Sequence, residues 1–207
     1  VLSATFLGML YLARVPLSSF ALIFVIVIML GALLIFLSPY RMERMTTFIN
    51  PWQTQFGAGY QLTQSLIAFG RGGILGVGLG NSVQKLFYLP EAHTDFLFAV
   101  LAEELGLIGQ ILVITLFVIL VVRIFIVSQR ALNMGQLFYG YLGYGLGLWI
   151  SLQALVNIGV NAGVLPTKGL TLPFISYGGS SILVNCIIVG LMLRLSHELA
   201  IQHWREN

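Results

Sequence analysis

Long apolar stretches with few or no charged side chains restrict what this amino-acid sequence can fold into. Residues 16–37 contain no Asp, Glu, Lys or Arg and exceed the ~20 residues that a helix needs to cross a bilayer. Residues 96–122, 137–164 and 175–195 are similarly long and apolar, and residues 1–13 form a shorter stretch. A helix satisfies its backbone polar groups internally, as the hydrocarbon requires. The pattern predicts an all-α polytopic membrane protein with about five transmembrane helices.

Composition excludes several other classes of protein. Of the 207 residues 58% are hydrophobic and only 8% are charged, whereas a soluble domain carries about 25% charged residues. The ten basic residues are scattered and form no run that could follow a nucleic-acid backbone, so nucleic-acid binding is not expected. A single cysteine, Cys186, excludes an internal disulfide and a cysteine-based zinc site.

The boundaries of the apolar stretches divide the chain into membrane and loop segments. We interpret residues 1–207 as a single membrane domain with a large polar loop at residues 38–95 and a polar tail at residues 196–207. Within the loop, residues 57–68 are expected to form a short interfacial helix. Since residues 1–13 begin with Val1 and are too short for a crossing, we expect them to be the end of a span that starts upstream.

Two crossings separate the large loop from the loop at residues 165–174, so both must emerge on one side of the membrane. Each side carries five basic residues. The positive-inside rule gives most weight to bases in short loops near span ends. Such bases lie on the side opposite the large loop, which is also the side of the tail. We therefore expect an extracytoplasmic large loop and a cytoplasmic tail.

The densest group of chemically reactive side chains lies where the large loop meets the third span. Glu91, His93, Thr94 and Asp95 occur within five residues. Asp95 could accept backbone N–H bonds as a helix N-cap, or it could face a cavity and take a proton from a substrate hydroxyl. A single histidine beside two acids is a weak metal signal, so a metal site is left open.

Two further acids, Glu103 and Glu104, lie within the third span itself, where an unpaired charge costs ~2.5–3.5 kcal/mol. At 100° per residue only Glu103 would share a helix face with Asp95, which makes it a candidate wall of the site. The alternatives are an ion pair with an arginine of another span or a position at headgroup depth. By contrast, residues 76–80 lack the context of a phosphate-binding loop and are expected to form a flexible turn.

Basic and small residues on the same side of the membrane could complete a site around Asp95. Lys168 lies in a loop stiffened by two prolines, and Ser176 and Tyr177 follow it. Together with Arg71 and Lys85 of the large loop, Lys168 could contact an anionic ligand. The small residues after the loop could equally serve close helix packing.

Several motifs together closely resemble the SEDS family of bacterial membrane proteins, which includes FtsW, RodA and SpoVE, with two segments closer to the FtsW branch. The matching segments are residues 50–52, 59–65, 69–73, 80–86, 89–96 and 165–173. Members of the family have about ten spans, so the resemblance implies that this chain is the C-terminal half of the fold. It also implies a peptidoglycan glycosyltransferase that polymerises lipid II at the division septum of the inner membrane, and an essential aspartate at the position of Asp95.

The implied chemistry agrees with the residue types. Inverting transfer from a polyprenyl pyrophosphate donor needs one base for the acceptor hydroxyl, and Asp95 is the candidate. The leaving pyrophosphate needs positive charge from Arg71, Lys85 or Lys168, or from a divalent cation, Mg²⁺ or Mn²⁺, held near Asp95. The implied partners are a cognate class B penicillin-binding protein, which is a transpeptidase, and other membrane proteins of the divisome.

Two alternative functions make different demands on the sequence. A flippase or transporter of lipid-linked precursor would place ionisable residues deep in several spans, but apart from Glu103 and Glu104 the spans carry almost none. A non-catalytic divisome scaffold would not need the acid cluster beside a basic, proline-stiffened loop. The clustering of motifs on one side therefore favours chemistry at the membrane surface.

The expected orientation can be tested by cysteine labelling. A cysteine in the large loop, at Gln84, should react with an impermeant thiol reagent added to intact spheroplasts. A cysteine at Leu132, between the third and fourth spans, should react only after lysis. The reverse pattern would place the large loop in the cytoplasm.

Overall fold

The computed structural model describes residues 1–206, and this part of the chain is helical without strands. Asn207, the last residue of the predicted tail, lies outside the described residues. A short 3₁₀ turn, Pro51–Thr54, and a π turn, Gln84–Tyr88, interrupt the large loop. The helices are α1 (Leu2–Leu12), α2 (Leu17–Phe36), α3 (Pro39–Ile49), α4 (Tyr60–Gly72), α5 (Leu97–Asn133), α6 (Leu137–Asn161) and α7 (Gly179–Glu206).

Four of these helices are long and apolar enough to cross a membrane: Leu17–Phe36, Leu97–Asn133, Leu137–Asn161 and the Gly179–Ile201 part of α7. The shorter predicted stretch at residues 1–13 corresponds to α1, an apolar helix of 11 residues. The all-helical class predicted from hydropathy is confirmed. The chain is therefore a multi-pass membrane protein.

The ends of two helices differ from the sequence-based expectation. The third predicted span ends at residue 122, but α5 continues to Asn133, because after Gly106 the next residue with a left-handed backbone is Gly135, whose φ is +76°. The last helix begins at Gly179 rather than near Ile175, and it continues through the predicted tail to Glu206. An ion pair one turn apart, Arg194 to Glu198 at 2.6 Å, lies in this extension.

Close packing of α6 on α5 forms the centre of the bundle. Gly143 and Gly147 of α6 lie against Ser128 and Phe125 of α5, so closely that a Cβ at either glycine would collide with these side chains. Small residues at such positions allow membrane helices to approach each other. Buried residues of α7, including Ile188 and Met192, pack against the same cluster.

A break in α5 is the main irregularity of the fold. Gly106 has φ +64° and ψ −161°, which ends the first part of the helix and leaves the carbonyls of its last residues without helical partners. The loop that follows α4 replaces these partners: the N–H groups of Val77 and Gly78 donate to the carbonyls of Glu103 and Glu104, both at 3.0 Å. The segment expected to be a flexible turn is therefore tied to α5.

The same loop also satisfies the second part of α5. The N–H groups of Leu107 and Ile108, which begin the new helical segment, donate to the carbonyls of Gly73 and Ile74 at 3.0 and 3.3 Å. The backbone groups freed by the break are thus hydrogen-bonded to the loop. Non-helical backbone is tolerated within a membrane protein only where its polar groups are satisfied in this way. The loop and both parts of α5 form one hydrogen-bonded unit.

Side-chain exposure changes the positions best suited to the labelling test of orientation. Gln84 is only 6% exposed, so a cysteine there would be protected on either side of the membrane. Leu79, in the same loop, is 74% exposed, and Leu137, at the turn between α5 and α6, is 61% exposed. Labelling at Leu79 and Leu137, in a Cys186→Ser background, therefore reports sidedness.

Gly106 is expected to be essential for stability. The variant Gly106→Ala would place a Cβ against the backbone of Ile74 and Gly76 in a conformation that L-residues rarely adopt. Strain and overpacking together should lower the free energy of unfolding by about 3 kcal/mol or more. Thermal unfolding of the purified protein in detergent measures this change.

The control is Gly190→Ala in α7, where no atom lies within 4 Å of the added Cβ and the backbone is helical. This variant should be neutral or more stable by up to about 1 kcal/mol. Equal melting temperatures for the two variants would show that the break in α5 does not depend on glycine.

Candidate functional site

Asp95 lies in the turn that precedes α5, and its side chain is partly buried. The cap residue of α5 is Phe96 rather than Asp95, and no side chain caps the helix. Among the described residues none donates a hydrogen bond to the Asp95 carboxylate, so the N-cap alternative is not what the structure shows. The carboxylate is therefore available to a ligand.

Two asparagines of α6 hold the backbone of Asp95. The side-chain amides of Asn157 and Asn161 each donate to the Asp95 carbonyl at 2.9 Å. The Asn161 Oδ1 atom accepts the N–H of Ala99 at 3.0 Å, and the Asn157 amide also donates to the Leu170 carbonyl. Asn157 is 2% exposed and Asn161 is fully buried, so these bonds are shielded from water.

This asparagine pair is a feature that the analysis of motifs missed. The signal was present in the sequence: two amides one helical turn apart in an otherwise apolar span. Polar side chains within spans are rare and tend to be functional. In the structure they join the turn of Asp95 to the loop of Leu170, which the sequence could only place on the same side.

Three further contacts join the two loops around Asp95. The Tyr177 N–H donates to the His93 carbonyl at 2.9 Å. Gly169 lies so close that a Cβ built on it would be 3.0 Å from the Asp95 Oδ2 atom. Arg44 of α3 donates to the Thr167 carbonyl at 3.0 Å and so reaches the same loop. The structure therefore brings together the two segments, 91–95 and 168–177, that contain predicted site residues.

Individual predicted residues differ in what they present to this site. Ser176 is 1% exposed, and its hydroxyl accepts the N–H of Leu172 at 2.9 Å, so it stabilises the loop. The Tyr177 side chain is 75% exposed, and His93 is also exposed. The Thr94 hydroxyl donates to the Glu91 carboxylate at 2.7 Å.

A cavity of about 480 Å³ adjoins the site on the side of Lys168 and Gly169. The start of α1 and the Trp149 and Gln153 side chains of α6 form its other walls. Lys168 is exposed and, within the described residues, donates to no acceptor. The cavity therefore offers an unpaired cation next in sequence to Gly169, the residue that adjoins the Asp95 carboxylate.

Three other predicted site residues, Arg71, Lys85 and Glu103, belong to a separate cluster farther along α5. Glu103 is fully buried, and its carboxylate accepts the Ser82 hydroxyl at 2.5 Å and the N–H groups of Val83 and Gln84 at 3.4 and 3.3 Å. The Arg71 guanidinium lies 3.5 Å from it. Glu103 therefore forms an ion pair, as one alternative expected, but its arginine lies in α4 of the large loop and not in another span.

The neighbouring acid is paired as well. Lys85 lies 2.5 Å from the Glu104 carboxylate. Arg71 and Lys85 thus already have acidic partners, and their contacts hold the large loop against α5. Their predicted contact with a ligand stays a prediction, since it would compete with these pairs.

The residues near Asp95 do not form a metal site on their own. Across the described residues no group of three His, Cys, Asp or Glu side chains converges on one point. The Glu91 carboxylate already accepts the Thr94 hydroxyl, and the site offers Asp95 as its one acid without such a bond. The described side chains therefore do not supply three metal ligands by themselves.

The electrostatic environment raises the pKa of the Asp95 carboxyl above its ordinary value of 3.8. Burial is the main cause, because it disfavours the charged form, and the negative charge of Glu91 adds to it. The positive charge of Arg44 acts in the opposite direction. A raised pKa makes this carboxylate a stronger proton acceptor than an exposed aspartate.

Comparison with known proteins gives consistent matches over almost the whole chain. The family model of FtsW/RodA/SpoVE cell cycle proteins matches residues 1–201. A relative from Coxiella burnetii named "Probable peptidoglycan glycosyltransferase FtsW" is 65% identical over 96% of this chain and 53% of its own length. A relative of the same name from Legionella pneumophila is 57% identical over 96% of this chain and 50% of its own length.

A solved structure is also similar in fold to this chain. It is titled "Structural coordination of polymerization and crosslinking by a peptidoglycan synthase complex" and matches with a TM-score of 0.70 at 25% identity, over 92% of this chain and 52% of that chain. This chain spans about half the length of the curated relatives it matches. The matches confirm the resemblance that the sequence motifs predicted.

The opposing charges around Asp95 predict shifts of opposite sign in its pKa. Glu91→Gln removes a negative charge and should lower the pKa of Asp95, whereas Arg44→Gln removes a positive charge and should raise it. Carbodiimide reacts with protonated carboxyl groups, so the pH dependence of Asp95 labelling, followed by peptide mass spectrometry, measures both shifts. Shifts in the same direction would contradict this account of the site.

Proposed function

Because the chain belongs to the FtsW/RodA/SpoVE family of cell cycle proteins, we propose that it is the part of a peptidoglycan glycosyltransferase that carries the catalytic base. The substrate is lipid II, and the product is a glycan strand. The observation that carries the proposal is the Asp95 carboxylate: it is partly buried, accepts no hydrogen bond from a described residue and has a raised pKa.

The reaction needs one proton acceptor. The acceptor sugar's hydroxyl oxygen attacks the anomeric carbon of the donor, and the bond from that carbon to the pyrophosphate oxygen breaks with inversion. Asp95 takes the hydroxyl proton, and the bonding electrons leave with the polyprenyl pyrophosphate. A carboxylate that already accepted several hydrogen bonds would be a weaker base for this step.

Positioning of the base follows from the two asparagines of α6. Their bonds to the Asp95 carbonyl fix the backbone from which the carboxylate projects, without using the carboxylate itself. General bases act only within about one hydrogen-bond length of the proton they take, so a fixed backbone supports catalysis. Asn157 and Asn161 are positioning residues in this proposal.

Lys168 is the cation that we assign to the departing pyrophosphate. It lines the cavity beside Asp95 and has no acidic partner among the described residues, whereas Arg71 and Lys85 are paired with Glu103 and Glu104. A positive charge at the leaving group stabilises the charge that develops there. No step of the proposed reaction passes through a metal ion.

The site also agrees with a substrate that enters from the membrane. Asp95 lies just before the first residue of a spanning helix, so a lipid-linked sugar can reach it while its chain stays in the bilayer. The polymerization and crosslinking named for the similar solved complex support a transpeptidase partner, a class B penicillin-binding protein. We place the protein in the inner membrane at the division septum, with other divisome proteins, and the site on its outer face.

The decisive experiment replaces Asp95 in the full-length protein, assayed for lipid II polymerisation with its cognate transpeptidase. Asp95→Asn keeps the size of the side chain but cannot accept the proton, so the rate should fall at least ~100-fold. Asp95→Glu keeps the charge but moves the carboxylate by about one methylene, and it should also lose ~100-fold. Gel analysis of glycan strands measures the rates.

Glu91→Gln is the matched control, since Glu91 is an exposed acid in the same turn. It should retain polymerisation, with an altered pH profile. A native rate in Asp95→Asn would show that Asp95 is not the base. If Glu91→Gln lowered the polymerisation rate as much as Asp95→Asn, the effect would come from removing negative charge in this turn and not from removing the base Asp95.

A further inference from the structure

A groove between α5 and α7 lies at the end of these helices that is far from Asp95. It consists of two adjoining cavities of about 550 and 320 Å³. Val127, Arg130 and Ser196 line both cavities, so they form one continuous space, the α5–α7 groove. None of the residues assigned to the proposed reaction lines it.

Two arginines line the groove from the same face of α5. Arg123 and Arg130 are seven residues apart, which places them two helical turns or roughly 10.5 Å apart along the axis. At this spacing two long side chains can reach one anionic group between them. Ser196 on α7 lines the same space.

Neither arginine of the groove has an acidic partner among the described residues, and neither donates a hydrogen bond there. This distinguishes them from Arg194, which pairs with Glu198 at 2.6 Å, and from Arg71, which pairs with Glu103 at 3.5 Å. Among the described residues, those that line the groove include no carboxylate. The groove thus carries two uncompensated positive charges.

The position of these charges along α5 corresponds to the headgroup layer. Measured from Leu107, where the second part of α5 begins, Arg123 lies roughly 24 Å and Arg130 roughly 35 Å along the helix axis, on either side of the ~30 Å thickness of bilayer hydrocarbon. Toward the middle of the membrane the walls become apolar, with Leu120, Val189 and Leu193. A charged end followed by an apolar end matches a molecule with an anionic head and an acyl chain.

We propose that the α5–α7 groove binds an anionic phospholipid of the leaflet opposite Asp95. Its phosphodiester accepts hydrogen bonds from Arg123, Arg130 and Ser196, and an acyl chain lies along the apolar walls. Basic pockets between spanning helices bind anionic headgroups by this chemistry. A zwitterionic lipid fits less well, because its ammonium group finds no carboxylate among the lining residues.

The test is native mass spectrometry of the full-length protein, released from detergent micelles that contain equal amounts of phosphatidylglycerol and phosphatidylethanolamine with identical acyl chains. The unmodified protein should retain phosphatidylglycerol about tenfold more than phosphatidylethanolamine. In Arg123→Gln/Arg130→Gln this preference should fall about tenfold, to near parity, because the net negative charge of the phosphatidylglycerol headgroup then meets no arginine in the groove. Arg130→Gln alone should give a partial loss.

Arg194→Gln is the matched control, because it removes a positive charge at the same end of the molecule from a residue that does not line the groove. It should keep the preference for phosphatidylglycerol. An equal loss in Arg194→Gln would assign the preference to general surface charge, and an unchanged preference in the double variant would exclude the two arginines. If the unmodified protein retained neither lipid, the proposal would be overturned. Another molecule, such as a partner helix, would then be expected to fill the groove.

Discussion

The hydrogen bonds between the glycine-rich loop and the break in α5 are the constraint on which the rest of this structure depends. A helix that stops within a membrane protein exposes carbonyls on one side of the break and N–H groups on the other. Here residues 73–78 pair with both sets, through the carbonyls of Glu103 and Glu104 and the N–H groups of Leu107 and Ile108. The close approach requires Gly106, where any larger residue would meet the loop backbone.

This junction also decides how the charges of the large loop are used. Once the loop is fixed to α5, Arg71 and Lys85 lie beside Glu103 and Glu104, and the two ion pairs reduce the cost of acids within a span. Buried charges are tolerated when they are paired and hydrogen-bonded, as Glu103 is by Ser82 and two backbone N–H groups. Asp95 and Lys168 are left outside these pairs, and that separation distinguishes a structural cluster from a candidate reaction site.

A second constraint connects the halves of the site. Asn157 and Asn161 lie in a helix without charged side chains, where an unsatisfied amide would be costly. Apart from the bonds that the Asn161 amide makes to Asn157 within α6, their side chains bond to the backbone of the turn before α5, of the first turn of α5 and of the loop after α6. The two amides therefore act as a rigid connection beneath Asp95. The same α6 packs on α5 through its glycines, so bundle packing and site geometry depend on one helix pair.

The sequence by itself determined the class of the fold, the approximate spans and the family, because hydropathy and short motifs are local properties, and it singled out Asp95 as the candidate base. It could not determine that α5 runs on to Asn133, that residues 76–80 are bound rather than flexible, or that the helical angle between Asp95 and Glu103 does not apply, since α5 begins only at Leu97. Nor could it separate Lys168 from Arg71 and Lys85. Only tertiary structure decides which acid meets which base, because those partners lie up to tens of residues apart in the chain and meet only after the loop has joined the break in α5.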